Sequence, residues 1–304
     1  MSLLREVKLV SRGRDWRGRS RAPRSAEQWA PAREPREFPT AWARTKPAQA
    51  VRRGVLRGVL RPLVWSQTRP EIYGADRLAG VQGPVMVIAN HSSHLDTPII
   101  LNALPDRLSR KIATGAAADY FFDARWRASL TALAFNAFPI ERSGGVRRKK
   151  MLAPQLIEEG WSILMFPEGT RSQDGWMRSF RRGAAQLAIS HNIPVIPVAI
   201  RGAYGAMPRG QNWPRPGRPR IAVHIGRPIG AESGETVPAF SNRLADAVTQ
   251  LWAEEDLGWW GAMRAAEQDT LPATTGPKAA SWRRTWESTR PLPDKSAKNP
   301  VWRR

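Results

Sequence analysis

The sequence predicts an α/β protein, a single domain whose mostly parallel or mixed sheet carries helices on both faces, preceded by a basic amphipathic helix. Three observations predict it. Continuous apolar runs of strand length recur at 84–89 (PVMVIA), 162–166 (SILMF) and 195–200 (VIPVAI). Stretches with helical spacing of apolar residues separate them. The runs do not alternate with polar residues, so both faces of each strand are buried, and a sheet buried on both sides needs helices above and below it.

Residues 1–45 mix Arg, Pro, Ser and Ala without periodicity and are expected to be a disordered basic tail. The pattern changes over 46–66, where Val51, Val55, Leu56, Val59, Leu60 and Leu63 recur at helical spacing with Arg52, Arg53, Arg57 and Arg61 between them. Such a helix either lies in a lipid interface with its arginines reaching phosphates, or covers the core, and both readings stand at this point. Pro62 is expected to end or kink it. Helices are then expected over 98–104, 119–135, 146–159 and 182–191, a weaker strand over 221–225, and a closing helix over 234–260 ending at Gly258-Trp259-Trp260. The segment 261–304, rich in Pro, Ser, Thr and charge with Trp282 and Trp286, reads as a tail ordered on contact.

Composition narrows the chemistry. The chain has 304 residues, 41% of them hydrophobic, enough for a real core. There is no cysteine. Disulfides, thiol nucleophiles and thiolate metal sites are therefore excluded. The formal net charge is +22, and residues 1–66 hold 16 Lys/Arg against 5 Asp/Glu. That balance calls for a polyanion, either nucleic acid or anionic lipid headgroups. No apolar run reaches the roughly 20 residues that span a bilayer. The longest candidate, 128–140, is interrupted by Thr131 and Asn136, and no secretory leader is read at the amino end.

Two motifs carry chemistry, each at the carboxyl end of an expected strand, where open α/β sheets hold ligands. The first is Asn90-His91-Ser92-Ser93-His94-Leu95-Asp96-Thr97-Pro98, with Thr97 and Pro98 read as the cap and first residue of a helix. Across such a turn His91 and Asp96 can meet. A carboxylate on one ring nitrogen fixes the tautomer and leaves the other as a base, while Ser93 and Asp96 also fit a capping box. The second motif is Phe166-Pro167-Glu168-Gly169-Thr170-Arg171-Ser172, where Gly169 permits close backbone approach and Arg171 offers a forked donor for phosphate. Taken alone it equally fits a surface turn with Glu168 paired to Arg171.

Together, Asn-His-x4-Asp followed some 70 residues later by Phe-Pro-Glu-Gly-Thr-Arg-Ser resembles the glycerolipid acyltransferase family of lysophosphatidate and glycerol-3-phosphate acyltransferases. Phe138-Pro139-Ile140-Glu141-Arg142 matches the family's intervening strand and arginine, with Glu141 where Asp is frequent. Ile196-Pro197-Val198-Ala199-Ile200 matches its later proline-containing strand. The resemblance covers roughly 60–260. It implies an acyltransferase domain over 67–260 and a 1-acylglycerol-3-phosphate O-acyltransferase activity. His91 would be the general base and Asp96 its orienting partner, with Arg142, Glu168, Gly169, Thr170 and Arg171 binding substrate. It also implies acyl-CoA or acyl carrier protein as co-substrate, no cofactor and no metal. The acceptor would be lysophosphatidic acid-like, and the location peripheral at the cytoplasmic face of the cell membrane, on anionic lipids. The family's frequent hydrophobic amino-terminal segment is replaced here by a basic one.

His94 is assigned to packing or donor contact, and His191 and His224 to structural roles. Ser92 and Ser93 lack the Gly-x-Ser-x-Gly elbow of a serine hydrolase. Rival readings are a same-fold transferase acting on a glycolipid or aminolipid, and, on charge alone, a nucleic-acid-binding protein. No recognisable nucleic-acid module supports the latter, and no nucleic acid is expected.

Overall fold

The computed structural model describes residues 39–117, 125–140 and 152–293. A 3₁₀ turn (Ala41–Arg44) leads into α1 (Lys46–Gly54), a π-helical stretch (Val55–Leu60) and α2 (Arg61–Gln67). Then follow β1 (Arg69–Tyr73), β2 (Met86–Ala89), α3 (Asp96–Ala103), the short α4 (Asp106–Ser109), β3 (Ile112–Ala117), α5 (Arg125–Phe135) and β4 (Ala137–Ile140). The chain continues through α6 (Leu152–Glu158), β5 (Ser162–Met165), α7 (Gly183–Ser190), β6 (Val195–Arg201), α8 (Ala203–Ala206), β7 (Arg220–Ile225), α9 (Val237–Glu267) and α10 (Ser281–Ser288).

Seven strands form one mixed sheet in the order β1-β7-β6-β2-β5-β3-β4. Every neighbouring pair is parallel except β6 with β7. The expected strands are all present, because their apolar runs are buried on both faces. Within β2, Val87 and Ala89 point to one side, with Ile99 and Ile100 of α3 and Leu56 and Val64 of the amino-terminal helices. Met86 and Ile88 point to the other, with Leu156 of α6, Leu187 of α7 and Phe240, Leu244 and Val248 of α9. The period of two along each strand thus sorts the core into two layers.

Two strands had no apolar signature. β1 (RPEIY) is an edge strand pairing only with β7, and its polar residues and Pro70 suit that position. β3 (IATGAA) is built from small residues, and a side chain at Gly115 would collide with Ile140 of the neighbouring β4.

The amino-terminal helix departs from expectation. It does not end at Pro62. Through the π-helical stretch the Arg61 amide bonds back five residues to the Leu56 carbonyl, so the turn is widened where the proline lacks a donor, and the helix runs on to Gln67. Its apolar stripe is divided: Leu56 and Val64 are in the core, while Val51, Val59 and Leu63 face solvent. Its arginines mostly turn to the protein. Arg52 is buried, its Nε donating to the Leu133 carbonyl at 2.9 Å and its Nη2 to the Ala43 carbonyl, and burial, reinforced by Arg44, lowers its pKa to about 10. Arg53 and Arg57 pair with Asp106.

The closing helix also runs past its expected end. Gly258 adopts φ 70°, a break only glycine takes without strain, and helical turns resume to Glu267 with Ala262 and Ala265 buried. The carboxyl segment then folds back as α10 against the loop that follows β5. Trp176 Nε1 donates to the Arg284 carbonyl at 3.0 Å and Arg284 Nε donates to Asp174 at 2.7 Å. Among the described residues no helix is long and apolar enough to cross a membrane. The amino-terminal parts of the helices expected over 119–135 and 146–159 lie outside the described residues, as do residues 1–38 of the tail expected over 1–45 and residues 294–304.

Candidate active site

β2 and β5 are parallel neighbours, with Ile88 opposite Met165, so the loops leaving their carboxyl ends emerge side by side. This brings the two motifs together from 77 residues apart. Asn90 fastens the end of β2 sideways: its amide accepts from the Ile200 N–H at 2.8 Å and donates to the Ile200 carbonyl at 2.9 Å. The side chain thereby prolongs the ladder with β6 by one rung and fixes where the next residue starts.

That residue is His91. Its Nδ1 lies 2.9 Å from Asp96 Oδ2. Asp96 is fully buried, and the same oxygen accepts from the amides of Ser92 at 2.7 Å and Ser93 at 2.9 Å. An oxygen taking two amide donors is an acceptor, so the His91 nitrogen facing it must carry the proton, leaving Nε2 as the basic nitrogen. The His91 side chain is 17% exposed, and its ring stacks on Phe166 with centroids 4.0 Å apart. The phenyl ring therefore holds the imidazole plane while one edge stays reachable.

Helix α3 begins at Asp96, one residue before the expected Thr97 cap, because the Asp96 carboxylate itself ties down the Ser92 and Ser93 amides ahead of the first turn. This is half of a capping box. The other half is not made: the Asp96 amide goes to the Ser93 carbonyl, while Ser93 Oγ accepts from the Leu95 amide at 3.3 Å and donates to the Met207 carbonyl at 2.9 Å. The negative side chain sits at a helix amino end, where the backbone dipole favours it. The Ser92 and Ser93 amides, already spent on Asp96, cannot also receive an oxyanion.

Glu168 joins the two loops. It is buried, and its Oε1 accepts from the His91 amide at 2.7 Å while Oε2 accepts from the Arg178 amide at 3.0 Å. Burial pushes its pKa up, to about 8; the two amide bonds oppose that shift and the charge of Asp96 adds to it. A second tie runs from the Ser172 amide to the His91 carbonyl at 2.8 Å. The backbone of His91 is thus gripped on both sides by the Glu168–Ser172 turn. Gly169, at φ 73°, occupies the left-handed region that favours glycine, and a side chain there would also have to displace the Arg181 side chain, whose Nε would lie 2.8 Å from its Cβ.

Thr170 and Arg171 are half-buried in the same turn. Arg171 reaches the first motif electrostatically: burial first, then the charges of Arg171 and His91, lower the His94 pKa to about 4. Glu168 and Arg171 are not the surface pair that the second motif allowed. Arg142 lies outside the described residues, two positions beyond β4. Among the described residues no cluster of three His, Cys, Asp or Glu could hold a metal ion. Asn90 and Phe166 open the two motifs, yet the sequence assigned no role to the anchoring amide of the one or the stacking face of the other; their place in the motifs was the signal that pointed to them.

A family model described as Acyltransferase matches residues 69–201, from β1 to the end of β6, and so includes both loops. Over these residues the chain resembles the acyltransferase family. Among similar proteins, a 1-acyl-sn-glycerol-3-phosphate acyltransferase of Pseudomonas aeruginosa is 29% identical over 224 residues, covering 69% of this chain and 79% of that protein. A chloroplastic 1-acyl-sn-glycerol-3-phosphate acyltransferase of Brassica napus is 26% identical, covering 59% of this chain and 51% of the relative. The mouse 1-acyl-sn-glycerol-3-phosphate acyltransferase alpha is 27% identical, covering 61% and 64%. The chain thus spans about half to two thirds of the length of these last two relatives. Among solved structures, PlsC, the 1-acyl-sn-glycerophosphate (LPA) acyltransferase from Thermotoga maritima, superposes with a TM-score of 0.53 at 22% identity, covering 69% of this chain and 83% of PlsC. At that identity the likeness is one of fold, over 69% of this chain.

Proposed function

We propose that this chain is a 1-acylglycerol-3-phosphate O-acyltransferase that moves a fatty acyl group from acyl-CoA or acyl carrier protein to the free hydroxyl of its acceptor, making phosphatidic acid for phospholipid synthesis. The observation that carries the reading is the His91–Asp96 pair, buried at the carboxylate, open at Nε2 and gripped through its backbone by the second motif. His91 Nε2 takes the hydroxyl proton as the acceptor oxygen attacks the thioester carbonyl. A C–O bond forms, the C–S bond breaks, and the departing thiolate recovers the proton from the imidazolium. Asp96 holds the tautomer and stabilises the imidazolium.

Arg171 and Arg142 bind the acceptor phosphate through charge-assisted bonds, with Glu168, Gly169 and Thr170 shaping the turn that presents Arg171. The acceptor's hydrophobic tail calls for a membrane surface, and peripheral attachment at the cytoplasmic face fits the basic region 1–66. Val51, Val59 and Leu63 are exposed there, and Trp126 and Leu130 are exposed on α5, which the Arg52–Leu133 bond joins to α1. The test is to offer purified protein labelled acyl-CoA with a panel of lysolipids and identify the product by mass. Phosphatidic acid from lysophosphatidate is the expected product. Turnover of only glycolipid or aminolipid acceptors would move the protein to the rival acceptor class.

A further inference from the structure

Helix α10 contributes nothing to the core. None of its residues is buried, and a helix of eight residues is not stable alone in water. It is held instead by polar bonds on one face. Arg284 donates to Asp174 at 2.7 Å and to the Pro277 and Thr275 carbonyls at 2.8 Å each, and Ser288 Oγ donates to the Asp174 carbonyl. Arg284 and Ser288 are four residues apart and share that inward face. Trp282 and Trp286 are likewise four apart, but stand two residues earlier, about 200° around the helix. They point away from the body and are 71% and 57% exposed.

Burying the two indoles would have been the ordinary way to stabilise so short an element. Leaving both outside, on a segment that the chain folds back by some dozen residues and pins with an ion pair, needs a partner. The surroundings give its chemistry. Lys278, Arg283 and Arg290 flank the indoles, and the Arg290 guanidinium lies 5.2 Å from the centre of the Trp286 ring. The one carboxylate of the helix, Glu287, is taken by Arg283 at 3.1 Å. Indoles bordered by cations match the headgroup zone of an anionic bilayer, where an amphipathic ring sits with its edge wet and arginine meets phosphate.

We propose that α10 is a membrane-contacting helix that sets Trp282 and Trp286 into an anionic lipid surface. The proposal rests on the acyltransferase reading for its purpose. The loop that holds α10 begins at Ser172, whose amide binds the His91 carbonyl. The bilayer would then meet the protein one hydrogen-bonded segment from the base. This contact is separate from the amino-terminal helix and would make attachment two-pointed, each point raising the effective concentration of the other.

Because the chain has no cysteine, Trp282→Cys and Trp286→Cys can each carry a single polarity-sensitive fluorophore in the full-length protein. The labelled proteins are titrated with vesicles of phosphatidylcholine, with and without phosphatidylglycerol. Expected are a blue shift confined to the anionic vesicles, weakening with salt, and vesicle binding at least about tenfold weaker in the Trp282→Ala/Trp286→Ala double variant. Arg283→Glu/Arg290→Glu should weaken binding similarly while leaving the fold intact. Turnover of a short-chain lysophosphatidate dissolved as monomers should not change in either variant. A label that stays in water while the protein pellets with vesicles overturns the proposal, as does a protein that does not pellet. Absence of turnover on the soluble acceptor in the wild type would instead sink the acyltransferase reading, whatever the label does.

Discussion

Two histidines in this molecule sit beside carboxylates, and the contrast between them shows what makes one a candidate base. His91, on the loop after β2, bonds Asp96 through Nδ1 alone, and its other nitrogen has no hydrogen-bond partner among the described residues. His224, in β7, is held at both ends, Nδ1 at 3.2 Å from Glu254 and Nε2 at 3.1 Å from Glu255, both on α9. Each ring is stacked on an aromatic: His91 on Phe166 at 4.0 Å, His224 on Tyr73 at 4.8 Å. The difference is in what remains. His224 is 4% exposed and both nitrogens are occupied, so its protonation serves structure. Arg220 completes that second cluster, bonding Glu255, Glu71 and Tyr73, and the group as a whole ties α9 to the β1–β7 edge. A histidine–carboxylate pair is therefore not a site by itself. An unspent nitrogen on the rim of the sheet is what distinguishes one.

The largest expected effect tests that contrast directly. His91→Ala should lower transfer on the order of 10²–10⁴-fold with little change in unfolding midpoint. His224→Ala should do the reverse, destabilising by about 3–5 kcal/mol because two buried carboxylates lose their shared partner, with kcat per folded molecule unchanged. Urea unfolding and single-acceptor kinetics on both variants decide it. Equal catalytic loss from both would erase the distinction.

Next in size, Arg171→Ala and Arg142→Ala should each raise the acceptor KM, by about 1.5–3 kcal/mol of lost charge-assisted bonding, while the donor KM stays nearly fixed. An acceptor without phosphate should be much less affected. Equal losses on phosphorylated and neutral acceptors would assign both arginines to structure.

The pH dependence of stability sharpens the other side of the comparison. Burial alone would lower the His224 pKa, but the bonds to Glu254 and Glu255 outweigh it and hold the pKa above its ordinary value. A group raised in the folded state contributes stability that is present below about pH 6.5 and is lost as pH climbs through the folded pKa. Glu168, pushed up to about 8, adds a decline of the same sign from about pH 4.5 upward. The diagnostic quantity is therefore the difference between wild type and His224→Gln, measured by urea unfolding from pH 6 to 9. It should shrink as pH rises, and a difference that stays flat or grows would contradict a protonated His224. The smallest effect is expected at His94, already neutral with its pKa lowered to about 4. His94→Ala should keep most of the turnover, and a loss as deep as that of His91→Ala would make it a second participant.

Much of this was legible in the residues. β2, β5, β6 and β7 announced themselves because strands covered on both faces must be apolar throughout, and motif residues sat where such runs stop. That His91 and Asp96 could meet followed from a turn between strand and helix, which is local. What the sequence could not supply was every relation that depends on strand order. Only the parallel pairing of β2 with β5 makes Glu168 a clasp on the His91 amide instead of half of a surface ion pair with Arg171. The Asn-His-x4-Asp pattern already set His91 apart from His224, but only the packing of α9 against β7 shows that His224 has both nitrogens occupied, by Glu254 and Glu255. The same holds for α10: Trp282 and Trp286 marked the segment as one ordered on contact, but its place beside Asp174 comes from a chain reversal that no local period encodes. Periodicity reports whether a side chain is covered. Which neighbour covers it, and which of its atoms is left over for chemistry, is settled when distant segments meet.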